Sequence, residues 1–197
     1  TDESILPAVN DKKVTLLACW KQAEIFFLDN SRQCENVGIS ISETFFYNGQ
    51  VKKPGSYSVM PRRGVLQHEE MLVDFEKRVI DNRTEKETAE ILKSTSGFIA
   101  LAENEWFGLP ALEAMAAGCL VVSPQAIGGG EYLKHGTNCL ISEIDELSGK
   151  MLELLSSESK QEQLRFAAMR TASAYHPSSQ LAHLRRRIQS GGLKWLH

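Results

Sequence analysis

Glu105-Trp106-Phe107-Gly108-Leu109-Pro110-Ala111-Leu112-Glu113-Ala114-Met115-Ala116-Ala117-Gly118 lies between two apolar runs, Gly97-Phe98-Ile99-Ala100-Leu101-Ala102 and Cys119-Leu120-Val121-Val122. The order reads strand, loop, short helix, strand. Pro110 suits the first helical position, where its missing N–H costs nothing. Gly118 suits the stop after the last turn. Leu112, Met115 and Ala116 fall at helical spacing and are expected to face the sheet. Gly108 lets the backbone turn tightly before the helix, or lets a ligand come close.

Two carboxylates frame that turn. Glu105 is in the loop and Glu113 about one turn into the helix. Unpaired N–H groups at a helix start form an anion site, and carboxylates accept hydrogen bonds from sugar hydroxyls. The chemistry suggested is phosphate plus polyol, as in a nucleotide sugar. Taken alone, a Glu pair at this spacing serves equally well as solvated or capping residues of an ordinary βαβ crossover.

Glu-x7-Glu enclosing Phe-Gly-Leu-Pro and Glu-Ala-Met-Ala-Ala-Gly resembles the signature of family-four retaining glycosyltransferases of the GT-B fold, in their C-terminal, donor-binding domain. The resemblance covers about residues 56–190. It implies an α/β, Rossmann-like parallel sheet flanked by helices, with a helical C-terminus. The implied function is binding a nucleoside diphosphate sugar and transferring the sugar to a hydroxyl acceptor with retention. It assigns Glu105 and Arg62 to catalysis. Glu113, Arg63, Phe107, Gly108, Leu109, Ile80, Asn82 and Gly129 fall to donor binding. Arg62-Arg63 follow the strand Ser56–Met60, where forked guanidinium donors suit a diphosphate. No metal or cofactor is expected, because arginine and the helix dipole supply the positive charge.

The pattern is departed from twice. Trp106 stands where the family usually has Gly, and is expected to narrow or close the sugar site. The interval Arg63–Arg78 holds one helix, Glu69–Lys77, where the family has a further strand, a Gly-rich loop and a phosphate-binding Lys.

Elsewhere the chain reads in short segments. Val14–Ala18, Ile25–Leu28, Ile39–Ser42, Arg78–Asp81 and Asn138–Ile141 read as strands. Thr84-Glu85-Lys86-Glu87 has the form of a capping box. Gly128-Gly129-Gly130 before a short helix either wraps a phosphate or is a flexible loop. Helices are expected over Ile144–Leu155, Gln161–Tyr175 and from Pro177 onward. Arg185-Arg186-Arg187 reads as a solvated face, with contact to an anionic membrane as the alternative.

Composition bounds the rest. Net charge is -3 over 197 residues, with 42% hydrophobic residues, which argues against a nucleic-acid partner. No apolar run approaches a membrane span. Cys19, Cys34, Cys119 and Cys139 fit neither a zinc site nor a redox pair, and no His spacing makes a metal site. Free thiols suggest a reducing, cytoplasmic setting.

The expected organisation is an N-terminal extension or remnant of an acceptor domain over 1–50, the nucleotide-sugar domain over 51–190, and a tail over 191–197. Starting at Thr1 without an initiator Met, the chain is expected to be a fragment, a processed product or the ordered part of something longer. An acceptor domain or partner subunit is then missing, and the acceptor, whether saccharide, lipid or protein, is not specified. Two rivals remain: a catalytically inactive module that binds nucleotide sugar beside an active partner, and an epimerase or phosphorylase on the same fold.

Overall fold

The computed structural model describes residues 6–61, 75–102, 105–126 and 128–190. Arg62, Arg63 and most of the expected helix Glu69–Lys77 lie outside them. The chain forms two compact units, Ile41–His176, and Thr1–Ser40 with Pro177–His197.

In the larger unit five parallel strands form one sheet. They are β3 (Lys53–Val59), β4 (Glu76–Val79), β5 (Thr95–Ile99), β6 (Leu120–Ser123) and β7 (Leu140–Ile141), in spatial order β4-β3-β5-β6-β7. Parallel pairing demands crossovers, and α3 (Glu85–Ser94) and α4 (Leu109–Ala116) make two of them. Helices α5 (Leu147–Leu155) and α6 (Glu158–Ser173) close the unit. The α/β, Rossmann-like fold expected from the sequence is the fold observed.

The central strands β5 and β6 are buried on both faces, as such layering requires. Tyr57, Val59, Ile99, Leu120 and Val122 pack on Leu147, Met151 and Leu154 of α5 and Leu164 of α6. Gly97 in β5 makes room for this, because a Cβ there would lie 2.5 Å from the Met151 sulfur. Phe98 and Val121, pointing the other way, are also buried, as are Ala89 and Leu92 of α3 and Leu112 and Met115 of α4.

The helix ends follow local chemistry. Thr84 accepts from the Glu87 N–H and Glu87 accepts from the Thr84 N–H, completing the capping box. The Thr84 hydrogen bonds hold the Glu87 carboxyl below its ordinary value. A depressed acid contributes stability above its unfolded pKa and loses it as pH falls through the folded one. The amides at the start of α3 are therefore expected to lose protection, relative to their intrinsic exchange rates, on acidification below about 4.5. Thr84→Ala is expected to cost ~1 kcal/mol and to abolish that pH dependence. At its other end α4 stops in a Schellman motif, with Cys119 N–H on Ala114 O at 2.9 Å and Gly118 N–H on Met115 O at 3.1 Å. Gly118 has φ 75, and Arg165 donates to its carbonyl at 2.5 Å. The Lys52 ammonium binds the carbonyls of Leu92, Lys93 and Thr95 at 3.0, 3.2 and 2.8 Å, so it caps α3 from outside the helix.

The smaller unit contains α1 (Leu6–Asn10), β1 (Leu16–Ala18), α2 (Lys21–Asp29), β2 (Cys34–Asn36) and α7 (Pro177–Gln189). Strands β1 and β2 pair in parallel, so the connection between them must cross over. Ile25–Leu28 therefore lies in helix α2 and not in a strand. Ile39–Ser42 is likewise no strand: Ser42 caps a 3-10 turn at Glu43–Phe45, accepting from the Thr44 N–H. The fourth strand begins at Glu76 and ends before Ile80, so the last residues read as helix are strand. Of the arginine triplet, Arg187 is bound inward, to the Glu35 carboxylate at 3.1 Å and to the Asn36 carbonyl.

Candidate functional site

Strand order sets the site. From β3 the chain steps outward to β4, then returns across to β5 and continues through β6 to β7. The order reverses between β3 and β5, and ligands of open α/β sheets bind at the carboxyl ends of strands at such a reversal. A small pocket opens there, lined by Met60 after β3, Ala100 to Ala102 after β5 and Ser123 at the end of β6, together with Glu105, Gly108, Pro110 and Tyr132.

The start of α4 faces this pocket. Gly108 is its N-cap with φ 83 and ψ 46 and offers no side-chain cap. Pro110 is the second helical residue, one later than expected, and withdraws a donor at no cost. Glu105 is half-buried in the pocket wall, and Glu113 is half-buried on α4. Leu109 is exposed at the helix start.

Tyr132 ties the site together, and sequence reasoning did not single it out. It is 2% exposed. Its hydroxyl donates to the Gly108 carbonyl at 2.5 Å, the same oxygen that receives the N–H groups of Ala111 and Leu112 at 3.1 and 3.4 Å. Burial pushes the phenol far above its ordinary value, and the negative charges of Glu105 and Glu113 push it further. Both carboxylates of the motif therefore act on the hydroxyl that holds the N-cap. The ring packs on Phe107 at 5.4 Å and Tyr175 at 6.1 Å between centroids. Phe107 is thus a core residue here, 4% exposed. The signal for Tyr132 was an aromatic directly after Gly128-Gly129-Gly130-Glu131.

The glycine run divides by role. A Cβ on Gly128 would overlap the Trp106 carbonyl oxygen, so this glycine lets the loop after β6 lie directly on the motif loop. Gly129 opens a 3-10 turn, Gly129–Glu131, where a Cβ would meet Leu133 at 2.7 Å and Ala126 at 2.9 Å. Gly130 has open space around it. The first two glycines serve packing.

Ile80 is buried just past β4, its N–H on the Val59 carbonyl at 2.8 Å. Asn82 follows at φ 48, a left-handed backbone uncommon outside glycine and enriched for Asn. Trp106 stands apart from this pocket. It is 54% exposed and is not part of the pocket wall that Glu105 and Gly108 share. Among the described residues no cluster of three His, Cys, Asp or Glu side chains is placed to hold a metal, and no helix is long and apolar enough to cross a membrane. Cys119 and Cys139 are buried free thiols, and burial pushes the Cys139 thiol up to about 12.

Three comparisons place this geometry. The family model for glycosyl transferases group 1 matches residues 69–171, which include both motif glutamates and Tyr132. No curated protein sequence matches. Among solved structures, HepE from Anabaena in complex with UDP-glucose superposes with TM-score 0.76 at 13% identity, over 96% of this chain and 68% of that one. The C-terminal domain of LpcC, a glycosyl transferase group 1 family protein from Francisella tularensis, superposes with TM-score 0.59 at 14% identity, over 71% of this chain and all of that one. The GtfA/B complex gives TM-score 0.66 at 15% identity, over 96% of this chain and 47% of that one. These likenesses are of fold, and the chain spans about half the length of the GtfA/B chain.

Proposed function

The chain belongs to the group 1 glycosyl transferase family, and from that premise we propose that it is the donor-binding domain of such an enzyme. In this reading it holds a nucleoside diphosphate sugar for transfer of the sugar to a hydroxyl acceptor, with retention of configuration. One observation carries the reading. A helix start whose N-cap has no side chain opens on a pocket at the reversal of strand order, with Glu105 in the pocket wall and Glu113 one turn along the helix.

The roles follow from charge and reach. The α4 N-terminus and Arg62, aided by Arg63, stabilise charge on the departing diphosphate. Both arginines lie outside the described residues. Glu113 takes the ribose hydroxyls. Glu105 holds the donor sugar and orients its anomeric carbon. Ile80 and the left-handed Asn82 present backbone to the base, and Gly108 and Leu109 let the phosphates approach. No cofactor or metal enters, and the nucleotide sugar is itself the substrate. The acceptor site and part of the cleft come from another domain or subunit, in a cytoplasmic enzyme that contacts a membrane at most peripherally.

Calorimetric titration with uridine, guanosine and adenosine diphosphates tests this. One of them is expected to bind, with affinity lowered ~10-fold by Glu113→Ala, the loss of a hydrogen-bonded carboxylate. Arg62→Ala is expected to weaken the same nucleotide. Failure of all three nucleotides to bind would falsify the donor-site reading. Affinity that survives both substitutions would place the nucleotide elsewhere. A second reading, a silent donor-type module beside an active partner, is favoured by the two-component GtfA/B complex among the structural neighbours. Transfer assays on the full-length protein separate the two.

A further inference from the structure

Phe107, Tyr132 and Tyr175 close a triangle of rings, with centroids 5.4, 5.9 and 6.1 Å apart. All three separations fall in the range of attractive aromatic pairs. The rings come from three segments: Phe107 from the motif loop, Tyr132 from the turn after β6, and Tyr175 from just past the end of α6. Phe107 is continuous with Gly108, and Tyr132 donates to the Gly108 carbonyl. Tyr175 does not line the pocket. It also lies beyond residues 69–171, which the family model matches.

The backbone of Tyr175 is tied on both sides. Its N–H is bonded to the Ala172 carbonyl at 2.9 Å, and its carbonyl accepts from the Ile41 N–H at 3.1 Å. The next residue, His176, sets its ring edge-on to Phe46 at 4.6 Å between centroids. Phe107 and Tyr132 are buried and Tyr175 is half-buried, so Tyr175 is the outer ring of the triangle. Protein interiors are close-packed. Loss of the outer ring therefore leaves room for the Tyr132 ring to turn.

That room has one chemical consequence. The Tyr132 hydroxyl donates to the Gly108 carbonyl at 2.5 Å, and Gly108 is the N-cap of α4 with no side-chain cap of its own. A turn of the ring swings the hydroxyl, and the hydroxyl directs the carbonyl. We propose that Tyr175 is a positioning residue for the donor site: its ring fixes the Tyr132 ring, and through the Tyr132 hydroxyl it sets the Gly108 carbonyl and the aim of the first-turn N–H groups of α4. The proposal rests on the donor-site reading for the ligand that those groups meet.

A double-mutant cycle tests the link. Because Tyr175 acts through the Tyr132 hydroxyl, Tyr175→Leu and Tyr132→Phe are expected to be non-additive. Affinity for the nucleoside diphosphate that binds, among uridine, guanosine and adenosine diphosphates, is expected to fall ~5-fold in each single variant and ~5-fold, not ~25-fold, in the double variant. Tyr175→Phe keeps the ring and is expected to stay within ~2-fold of the parent. Leu155→Ala, partly buried against the core on the other face of the sheet, is the stability control, expected to lower the urea midpoint and leave affinity unchanged. The carbonyl carbon-13 shift of Gly108 reads the same link without ligand. It is expected to move upfield in both single variants, as an acceptor does on losing a donor, and no further in the double variant. Additive changes in affinity or in shift overturn the proposal, and so does Tyr175→Leu that matches the parent. Tyr175→Phe as weak as Tyr175→Leu, or Leu155→Ala as weak in affinity, overturns it too. A parent chain that binds none of the three nucleotides refutes the donor-site reading instead, and the Gly108 shifts then decide the link from Tyr175 on their own.

Discussion

Gly128→Ala is expected to destabilise the larger unit by ~3 kcal/mol or more, at the upper end of what overpacking costs. The backbone at Gly128 has φ -86 and ψ -19, which alanine adopts without strain. The whole effect therefore comes from contact. The new methyl group would overlap the Trp106 carbonyl oxygen and crowd the Phe107 Cα. These are backbone atoms, so no side-chain rotation relieves the clash, and one loop must lift off the other. Gly130→Ala is the matched control, two residues away with nothing within 4 Å of its added Cβ. It is expected to stay within ~0.5 kcal/mol of the parent. Urea unfolding of the two variants reads the difference. Similar midpoints would show that the two loops do not bear on each other as described. Because the motif loop carries Glu105 and Gly108, Gly128→Ala is also expected to weaken nucleoside diphosphate binding under conditions where the chain remains folded.

The parts of this fold that local chemistry dictates were legible in the sequence. Gly108, Pro110 and Gly118 punctuate α4 because a left-handed N-cap, a missing donor and a left-handed stop each narrow the choice of residue. The capping box at Thr84 is a four-residue event and was readable as one. The parallel sheet was implied by the resemblance that the motif carries, and the strand, loop, helix, strand order around it agreed. Short apolar runs were not decisive. Ile25–Leu28 suits a strand or a helix equally, and the parallel pairing of β1 with β2, which sequence does not display, settles it as helix.

The candidate site was legible in its ends and not in its joints. Glu105 and Glu113 stand out through the Phe-Gly-Leu-Pro and Glu-Ala-Met-Ala-Ala-Gly that they bracket, not through their spacing alone. The joints are made between segments some twenty residues apart: Gly128 against Trp106, and Tyr132 against Gly108. From sequence, three consecutive glycines read as either a phosphate-wrapping or a flexible loop; Gly128 lies against another chain segment, and Gly129 lies against Leu133 and Ala126 of its own turn. Phe107 behaves in the same way, with its burial set by Tyr132 and Tyr175. The motif thus reads as one wall of a two-loop assembly whose second wall is the turn after β6.

That assembly makes Tyr132 the side chain whose loss matters most. Tyr132→Ala is expected to cost ~4 kcal/mol, as for other large buried aromatics truncated to a cavity. Tyr132→Phe keeps the ring contacts and removes only the donor to Gly108, for which ~1–2 kcal/mol is expected. The two variants separate packing from the hydrogen bond. The Gly108 carbonyl would keep the Ala111 and Leu112 N–H groups, so α4 would still start where it does. What Phe removes is the restraint on the direction of that carbonyl, and with it the aim of the first-turn N–H groups. Nucleoside diphosphate affinity is therefore expected to fall ~5-fold in Tyr132→Phe, more than a remote core substitution of equal stability cost would produce. The pH dependence supplies an independent check. Burial raises Tyr132 well above the ordinary phenol value of 10.0. Its contribution is then complete below that pH and is lost as pH rises above it, because the unfolded phenol ionises while the folded one keeps its proton. The stability gap between parent and Tyr132→Phe is expected to be constant from neutral pH to about 10 and to shrink beyond it. A gap that widens with alkalinity would mean that the buried hydroxyl is not the donor to Gly108.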